Sequence, residues 1–446
     1  MIVLREASDI KSIFPEYYSH TNRKELVLSQ YAVFQKVSQG KIVLFSFVSD
    51  AIILLTENEY EQIIKKSFIC NNKLYEVLYL NAFLINNRIE EHSLIIRHRQ
   101  AIYKNKAETL KVVVLPTTSC NAGCEYCIGM NNPIETMSQQ TANSVVDFLV
   151  EKAKGYNCIK FDWYGGEPLL KSDTITYICE EIHHRLPNIS YSSVITSNMT
   201  CFDEKILELA IKIWHIQKIN ITIDGNEKEH NLRKRYSNST INGYVHTLDC
   251  IRKILDKNIM VYCRYNIDKD NEHYLKEVLQ DVKQFVKHNN FYFFISPLRG
   301  FDKYGNFFRL EEYNRLFYET GKLLNETGIH NSIDSFVPKY KCGFCLAKSV
   351  HCVVIAPNGL LYRCNLDDLD GTNSTGSVYD GIFQNDIYNS FIDSGVEEEC
   401  ERCQFLPMCQ GGCPVQAKFA SGSNRRCNKF KYKLEAVARL LWEYYI

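Results

Sequence analysis

Eighteen cysteines stand in this chain of 446 residues, and twelve of them fall in ordered groups. That distribution constrains the fold more than any run of hydrophobicity does, because dense cysteine spacing in a reducing compartment reads as metal ligation before it reads as disulfides. The first group is Cys120-Asn-Ala-Gly-Cys124-Glu-Tyr-Cys127, a C-x3-C-x2-C pattern that offers three thiolates. A structural zinc site closes its shell with four ligands, whereas a four-iron cluster held by three leaves one iron able to bind something else. Gly123 is expected to let the chain curl so that the three sulfurs point inward. The later series runs from Cys342, Cys345, Cys352 and Cys364 through Cys400-x2-Cys403-x5-Cys409-x3-Cys413 to Cys427. Cys70, Cys158, Cys179, Cys201, Cys250 and Cys263 stand alone in helix-like or strand-like stretches and read as buried structural thiols.

Charge removes several classes of partner. Lys plus Arg and Asp plus Glu are equal at 52 each, so the chain carries no basic footprint for a nucleic-acid backbone. Glu6 and Asp9 lie where a secretory signal needs its apolar core, and no later run reaches membrane-spanning length. The expectation is a cytoplasmic protein of two or three compact units, with neither nucleic acid nor membrane as partner.

Within residues 1–105 the pattern predicts a hairpin, Lys41 to Val48 and Ala51 to Leu55, turned at Ser49-Asp50, and a helix opening at Thr56. Lys73 to Ile85 and Arg88 to Tyr103 are expected to be mostly helical. From Lys111 an alternation of apolar strand, loop and helix repeats about six times to Pro297, which implies right-handed strand–helix units on a parallel sheet. The expected strands are Lys111 to Leu115, Cys158 to Tyr164, Ser192 to Thr196, Lys218 to Ile223, Ile259 to Ile267 and Phe291 to Ser296. Ser138 is placed to cap a helix whose Ala142, Val145, Val146, Leu149 and Ala153 share one face. The fold class is therefore α/β, a partial (β/α)6 TIM-like barrel over 106–300, open on one side, with chemistry gathered beyond the carboxyl ends of its strands. A helical connector over 301–340, a cysteine-rich unit over 341–430 and a terminal helix over 431–446 complete the expected layout.

The first cysteine group, with Tyr126 just before its third cysteine, resembles the signature of the radical S-adenosylmethionine (SAM) superfamily. The resemblance implies a [4Fe-4S] cluster on Cys120, Cys124 and Cys127, whose open iron chelates the amino and carboxylate groups of SAM. One electron then breaks the sulfonium carbon–sulfur bond, and the resulting 5'-deoxyadenosyl radical abstracts a substrate hydrogen. Gly165-Gly166-Glu167-Pro168 is similar to the family's glycine-rich motif contacting the cofactor, with Glu167 as a carboxylate acceptor. Ser197 and Asn198 stand where relatives carry a Thr-Asn-Gly turn, with Met199 in place of the glycine. Asp224, Arg264 and Asn266 resemble contacts to the ribose and carboxylate. The bland readings are a zinc knuckle for the cysteines, and turns or solvated polar residues for the rest.

The C-terminal series resembles the SPASM extension, in which interleaved cysteines hold two auxiliary four-iron clusters, making three clusters in all. By that resemblance Cys400, Cys403, Cys409 and Cys427 hold the distal one. Cys345, Cys364 and Cys413 hold the nearer one, with a fourth ligand from Cys342 or Cys352. A pair of zinc ribbons is the alternative. The resemblance extends from Lys111 to Cys427. The N-terminal hundred residues resemble, in architecture alone, the small winged-helix domains by which peptide-maturing enzymes hold a leader peptide, the alternative being a packing extension of the barrel.

Relatives with this layout mostly modify peptides. The expectation is an enzyme that abstracts a hydrogen from a residue of a ribosomal precursor peptide and forges a thioether or other side-chain crosslink, drawing electrons from a donor such as a flavodoxin or ferredoxin. Its rival is an anaerobic sulfatase maturase, which makes formylglycine and carries a catalytic aspartate directly after the cysteine occupied here by Cys364. This chain has Asn365, an amide that cannot take up a proton, so Asp367 and Asp368 are the remaining base candidates. A noncatalytic zinc or iron–sulfur binding module is the reading from another class.

Overall fold

Antiparallel pairing dominates the N-terminal hundred residues. The computed structural model describes residues 1–8, 10–18, 22–38, 40–105, 107–238, 240–298, 307–329, 337, 345–393, 395–415, 427 and 429–445. Strands β1 (Ile2–Arg5), β3 (Ala32–Ser38), β4 (Lys41–Ser46) and β5 (Ile52–Thr56) form a sheet in the order β1-β5-β4-β3, while β2 (Leu26–Leu28) pairs with β6 (Leu84–Asn86). The β4–β5 hairpin matches the expected one. Thr56 then caps α1 (Glu57–Ile64) by accepting from the Glu59 N–H, and the Glu59 carboxylate accepts from the Thr56 N–H at 2.9 Å. The helix expected over Lys73 to Ile85 is shorter: α2 (Asn72–Leu80) ends before Ala82, which takes φ 52°, and Leu84–Asn86 is a strand. Pairing with β2 overrides the local helical pattern there. Helix α3 (Glu91–Lys104) follows.

The strand–helix alternation produces β7 (Thr109–Val114), α4 (Gln139–Lys152), β8 (Cys158–Trp163), α5 (Ser172–Arg185), β9 (Ser190–Thr196), α6 (Glu204–Lys212), β10 (Ile216–Ile223), α7 (Glu227–Lys234), α8 (Gly243–Asp256), β11 (Met260–Ile267), α9 (Leu275–Val282) and β12 (Phe291–Pro297). All five neighbouring pairs from β7 to β12 are parallel. Ser138 caps α4 by accepting from the Thr141 N–H at 3.0 Å. Side chains alternate between two faces. Val112, Phe161, Trp163, Ile219, Ile221, Val261 and Cys263 pack under the helices in one continuous core. On the opposite, concave face lie Lys160, Asp162, Lys218, Asn220, Thr222, Tyr262, Arg264, Tyr292 and Phe294, none of them fully buried.

The sheet does not stop at six strands. β13 (Cys352–Ile355), from the cysteine-rich region, adds parallel to β7 with Cys352 in register with Lys111, and β14 (Leu361–Tyr362) closes the edge antiparallel. Past α10 (Tyr313–Glu326), the terminal helix α11 (Leu434–Tyr445) returns to the start of the chain. Its Val437, Leu440 and Leu441 pack with Val43, Phe45, Ile52 and Leu54 of the N-terminal sheet.

Candidate active site

The first three cysteines lie on the loop that leaves the carboxyl end of β7. Cys120 and Cys127 are exposed and Cys124 is half-buried. Burial pushes the Cys120 thiol up to about 11 and also raises that of Cys124, which Lys234 opposes. The loop is held from behind by the end of α7: the Gly123 N–H donates to the Lys234 carbonyl at 2.9 Å, Ala122 bridges Tyr236, and the Ser237 N–H donates to the Asn121 carbonyl at 2.9 Å. Gly123 does not adopt a left-handed conformation, and a Cβ on it would meet Arg235 at an ordinary 3.6 Å. The curl is set by docking onto Lys234–Ser237, with Arg235 itself left-handed at φ 48°, and not by glycine freedom.

The glycine-rich loop after β8 is packed against the cysteine loop. A Cβ on Gly165 would come 2.2 Å from the Thr117 carbonyl oxygen, and one on Gly166 2.1 Å from that of Ser119. The small residues thus admit the neighbouring loop, whose carbonyls accept from the N–H groups of Gly166 and Glu167 at 3.1 and 2.9 Å. Pro168 is buried at the start of the turn that follows. Glu167 is wholly buried, and its carboxylate accepts from the Leu169 N–H, the Ser197 hydroxyl and the Asn198 N–H at 3.1, 2.9 and 2.7 Å. It clamps the loops after β8 and β9 together, and burial pushes its carboxyl up to about 7 against those donors. The turn after β9 keeps its shape without glycine: Met199 takes φ 68°, and its N–H donates to the Ser197 hydroxyl. Asn198 reaches Asn121 at 2.8 Å and the Cys120 sulfur at 3.7 Å.

Three further residues from the sequence signature meet in one buried network. The Tyr126 hydroxyl donates to Asp224, Asn266 Nδ2 donates to the other Asp224 oxygen at 2.8 Å, and Lys234 Nζ lies 3.1 Å from both the Tyr126 hydroxyl and Asp224. Behind them the Asp224 N–H donates to His230 Nδ1 at 3.4 Å, and His230 Nε2 meets the Tyr236 hydroxyl at 2.9 Å. Burial alone would raise Asp224, but Lys234 and the hydrogen bonds outweigh it and hold the carboxyl below its ordinary value. Burial and Lys234 push His230 down to about 3, so it stays neutral. Arg264 stands apart, exposed on the concave face. The sequence pointed to Tyr126, Asp224 and Asn266 but not to Lys234 or His230, because Glu227–Lys234 reads as a solvated polar helix.

The later cysteines form two sets. Burial pushes the Cys364 thiol up to about 12, and Cys345 and Cys413 add to the shift by proximity. Cys345, Cys364 and Cys413 pack around Ala347, Phe391 and Val415. Cys352 is buried in β13 with Arg363, Lys111 and Cys345 as charged neighbours, and Cys342 lies outside the described residues. Cys400 is influenced by Cys403 and Cys427, and Tyr432 by Cys427, Cys403 and Cys409, which gathers that second set. Among the described residues no three His, Cys, Asp or Glu side chains converge on a single-ion centre; a four-iron cluster takes one thiolate at each iron. Asp367 is buried and accepts from Asn373 at 3.0 Å, while Asp368 is exposed. Of the six lone cysteines, Cys179, Cys250 and Cys263 are buried and Cys158 and Cys201 half-buried. Cys70 is exposed, ending the short turn Ser67–Cys70, and is no core thiol.

Comparison with known proteins places this site. Residues 114–282 match the model of the radical SAM superfamily. An uncharacterized protein of Methanocaldococcus jannaschii is 28% identical over 281 residues, 61% of this chain and 90% of that one. The cysteine-type anaerobic sulfatase-maturating enzyme of Clostridium perfringens is 22% identical over 344 residues, 68% of this chain and 88% of that one. The fold is shared with anSMEcpe with bound AdoMet, at a TM-score of 0.60 and 17% identity over 75% of this chain and 97% of that one. It is shared too with Streptococcus suis SuiB bound to its precursor peptide SuiA, at 0.53 and 14% over 91% and 99%.

The fold and the cysteine loop together define a radical SAM domain. Residues 114–282 thus carry a radical SAM domain, and the protein is an enzyme of radical chemistry, similar in sequence to an anaerobic sulfatase-maturating enzyme. That domain implies one [4Fe-4S] cluster and SAM, and the three-thiol loop, tethered by its neighbours with Cys120 and Cys127 exposed, fits that pair. No helix among the described residues is long and apolar enough to cross a membrane.

Proposed function

We propose that this enzyme removes a carbon-bound hydrogen from a residue of a ribosomally made precursor peptide and installs a thioether or other side-chain crosslink. The observation that carries the reading is the concave face of the sheet. From β8 to β12 it is lined by polar and aromatic side chains, none of them fully buried, as a substrate with many backbone donors and acceptors requires. Cys120, Cys124 and Cys127 would hold the first cluster, which with bound SAM would supply a carbon-centred radical. Tyr126, Asp224, Asn266 and Lys234 fix the loop that bears those ligands, and Glu167 fixes the two adjoining loops. Arg264, exposed on the concave face and in no ion pair among the described residues, is placed to meet a carboxylate. Cys345, Cys364 and Cys413, and separately Cys400, Cys403, Cys409 and Cys427, would hold two auxiliary clusters, whose chemistry there would be electron uptake or binding of a substrate thiolate. Because Cys342 and Cys352 both remain candidates, the nearer cluster's fourth ligand is open. A leader held by residues 1–105 and a flavodoxin or ferredoxin donor complete the scheme.

The sulfatase-maturase reading is favoured by the Clostridium perfringens relative and the anSMEcpe fold. It is disfavoured by Asn365 at the position of the expected base and by the hydrogen bond already made by Asp367. Anaerobically reconstituted protein with reductant and SAM should make 5'-deoxyadenosine; Cys124→Ala should abolish it and Cys70→Ala should not. With a peptide encoded beside the gene, mass spectrometry should find two hydrogens lost and no hydrazide-reactive aldehyde. An aldehyde product would establish formylglycine formation instead.

A further inference from the structure

We infer that the amino-terminal half of the barrel's concave face is a binding site for an acidic segment of the peptide substrate, with Lys160 and Lys218 as its cationic contacts. The inference rests on the peptide-maturase reading and narrows its substrate class.

Lys111 and Lys160 are directly paired on adjacent parallel strands β7 and β8, with both side chains on the concave face. Like charges side by side on a sheet are unfavourable, and among the described residues no carboxylate forms an ion pair with either. Lys111 has Cys352 as a neighbour across the β7–β13 pair, and Lys160 is exposed. Two strands away, Lys218 forms no salt bridge among the described residues, has Asp162 as a charged neighbour, and lies over the Tyr262 ring at 4.6 Å, a contact that orients the ammonium. Tyr262 in turn meets Tyr292 at 4.9 Å, and Tyr292 and Phe294 keep 44% and 36% of their surface exposed. A cationic floor with an aromatic wall suits an extended chain bearing carboxylates.

A second observation points to a ligand at the same place. Asp162 faces the same side from β8, in register with Val194, which is itself in register with Lys218. Its Oδ1 is fully buried with no hydrogen-bond partner. A buried carboxylate oxygen without a donor is costly, and a substrate backbone N–H seated between Lys160 and Lys218 would supply one. Asp224, the other carboxylate on this face, is already taken by Lys234. With Lys111, Lys160 and Lys218 against Asp162, the charges on the floor are positive in excess, and an acidic segment fits where a basic one does not.

The test uses fluorescein-labelled hexaglutamate, hexaglutamine and hexalysine, titrated against the anaerobically reconstituted full chain by anisotropy at several salt concentrations. Hexaglutamate should bind best, with an affinity that falls as salt rises, and the double variant Lys160→Glu, Lys218→Glu should weaken it by about tenfold or more. The Arg pair at the same positions should retain binding, and Lys257→Glu, Lys287→Glu on the exposed outer surface should leave it unchanged. Equal binding of hexaglutamate and hexaglutamine, or equal loss in the inner and outer variants, overturns the inference. A chain that makes 5'-deoxyadenosine and closes a crosslink yet lacks the hexaglutamate preference loses this inference alone, whereas one that makes no crosslink loses the maturase reading instead.

Discussion

At the scale of single residues, the least expected group is Lys234, a cation only 3% exposed whose Nζ is shared between Asp224, Tyr126 and Thr222. Removing one member of a buried pair leaves the other charge uncompensated and costs about 3–5 kcal/mol. Lys234→Met should therefore lower the urea midpoint sharply and reduce iron retention in the first cluster, while Lys234→Arg should recover part of both. If Lys234→Met unfolds at the wild-type midpoint, the network does not support the loop. Glu91 offers a separate test in the N-terminal unit, where its carboxylate accepts from Tyr17, Ser29 and the Gln30 N–H. Burial pushes its carboxyl from 4.5 up to about 8, with the Gln30 hydrogen bond opposing. Between those values the folded chain keeps a proton that the unfolded chain has released, so this contribution to stability is full below pH 4.5 and is lost as pH rises through 8. Glu91→Gln should flatten that fall in denaturation curves taken from pH 5 to 9.

At the scale of elements, the cluster loop is shaped by its neighbours. The loops after β7 and β8 are in backbone contact at Gly165 and Gly166, and the loop after β7 is tied again to the end of α7. Gly166→Ala should push the Ser119 carbonyl aside and displace Cys120 beside it. The expected result is loss of about one cluster's iron, with far-ultraviolet circular dichroism unchanged. Gly123→Ala, which meets only an ordinary contact at Arg235, should keep its iron. Equal iron loss in both variants would contradict this division of roles.

At the scale of the whole molecule, the two ends of the chain are packed together. Leu441 is fully buried among N-terminal sheet residues such as Val43 and Phe45, and Met408, next to Cys409, belongs to the same cluster. Leu441→Ala should cost about 2–5 kcal/mol and make residues 1–105 more sensitive to limited proteolysis. Preserved resistance would show that the N-terminal sheet stands without α11. This packing ties the sheet proposed to hold a leader to the region of the distal cysteines, so leader binding and cluster stability are expected to be coupled.

Local pattern was enough to determine the six parallel strands, the Thr56 and Ser138 caps, the three-thiolate loop and the chemistry it implies, because periodicity, capping and ligand spacing are written within a few residues of one another. Distant segments decided the rest. Cys352 lies on a seventh strand because β7 had a free edge. Lys234 is buried because Asp224 is there to receive it. Glu167 serves the turn at Ser197 and Asn198 because two loops meet at that point. Such partners are many residues apart in sequence, and only the folding of the sheet brings their charges and backbone groups within bonding distance.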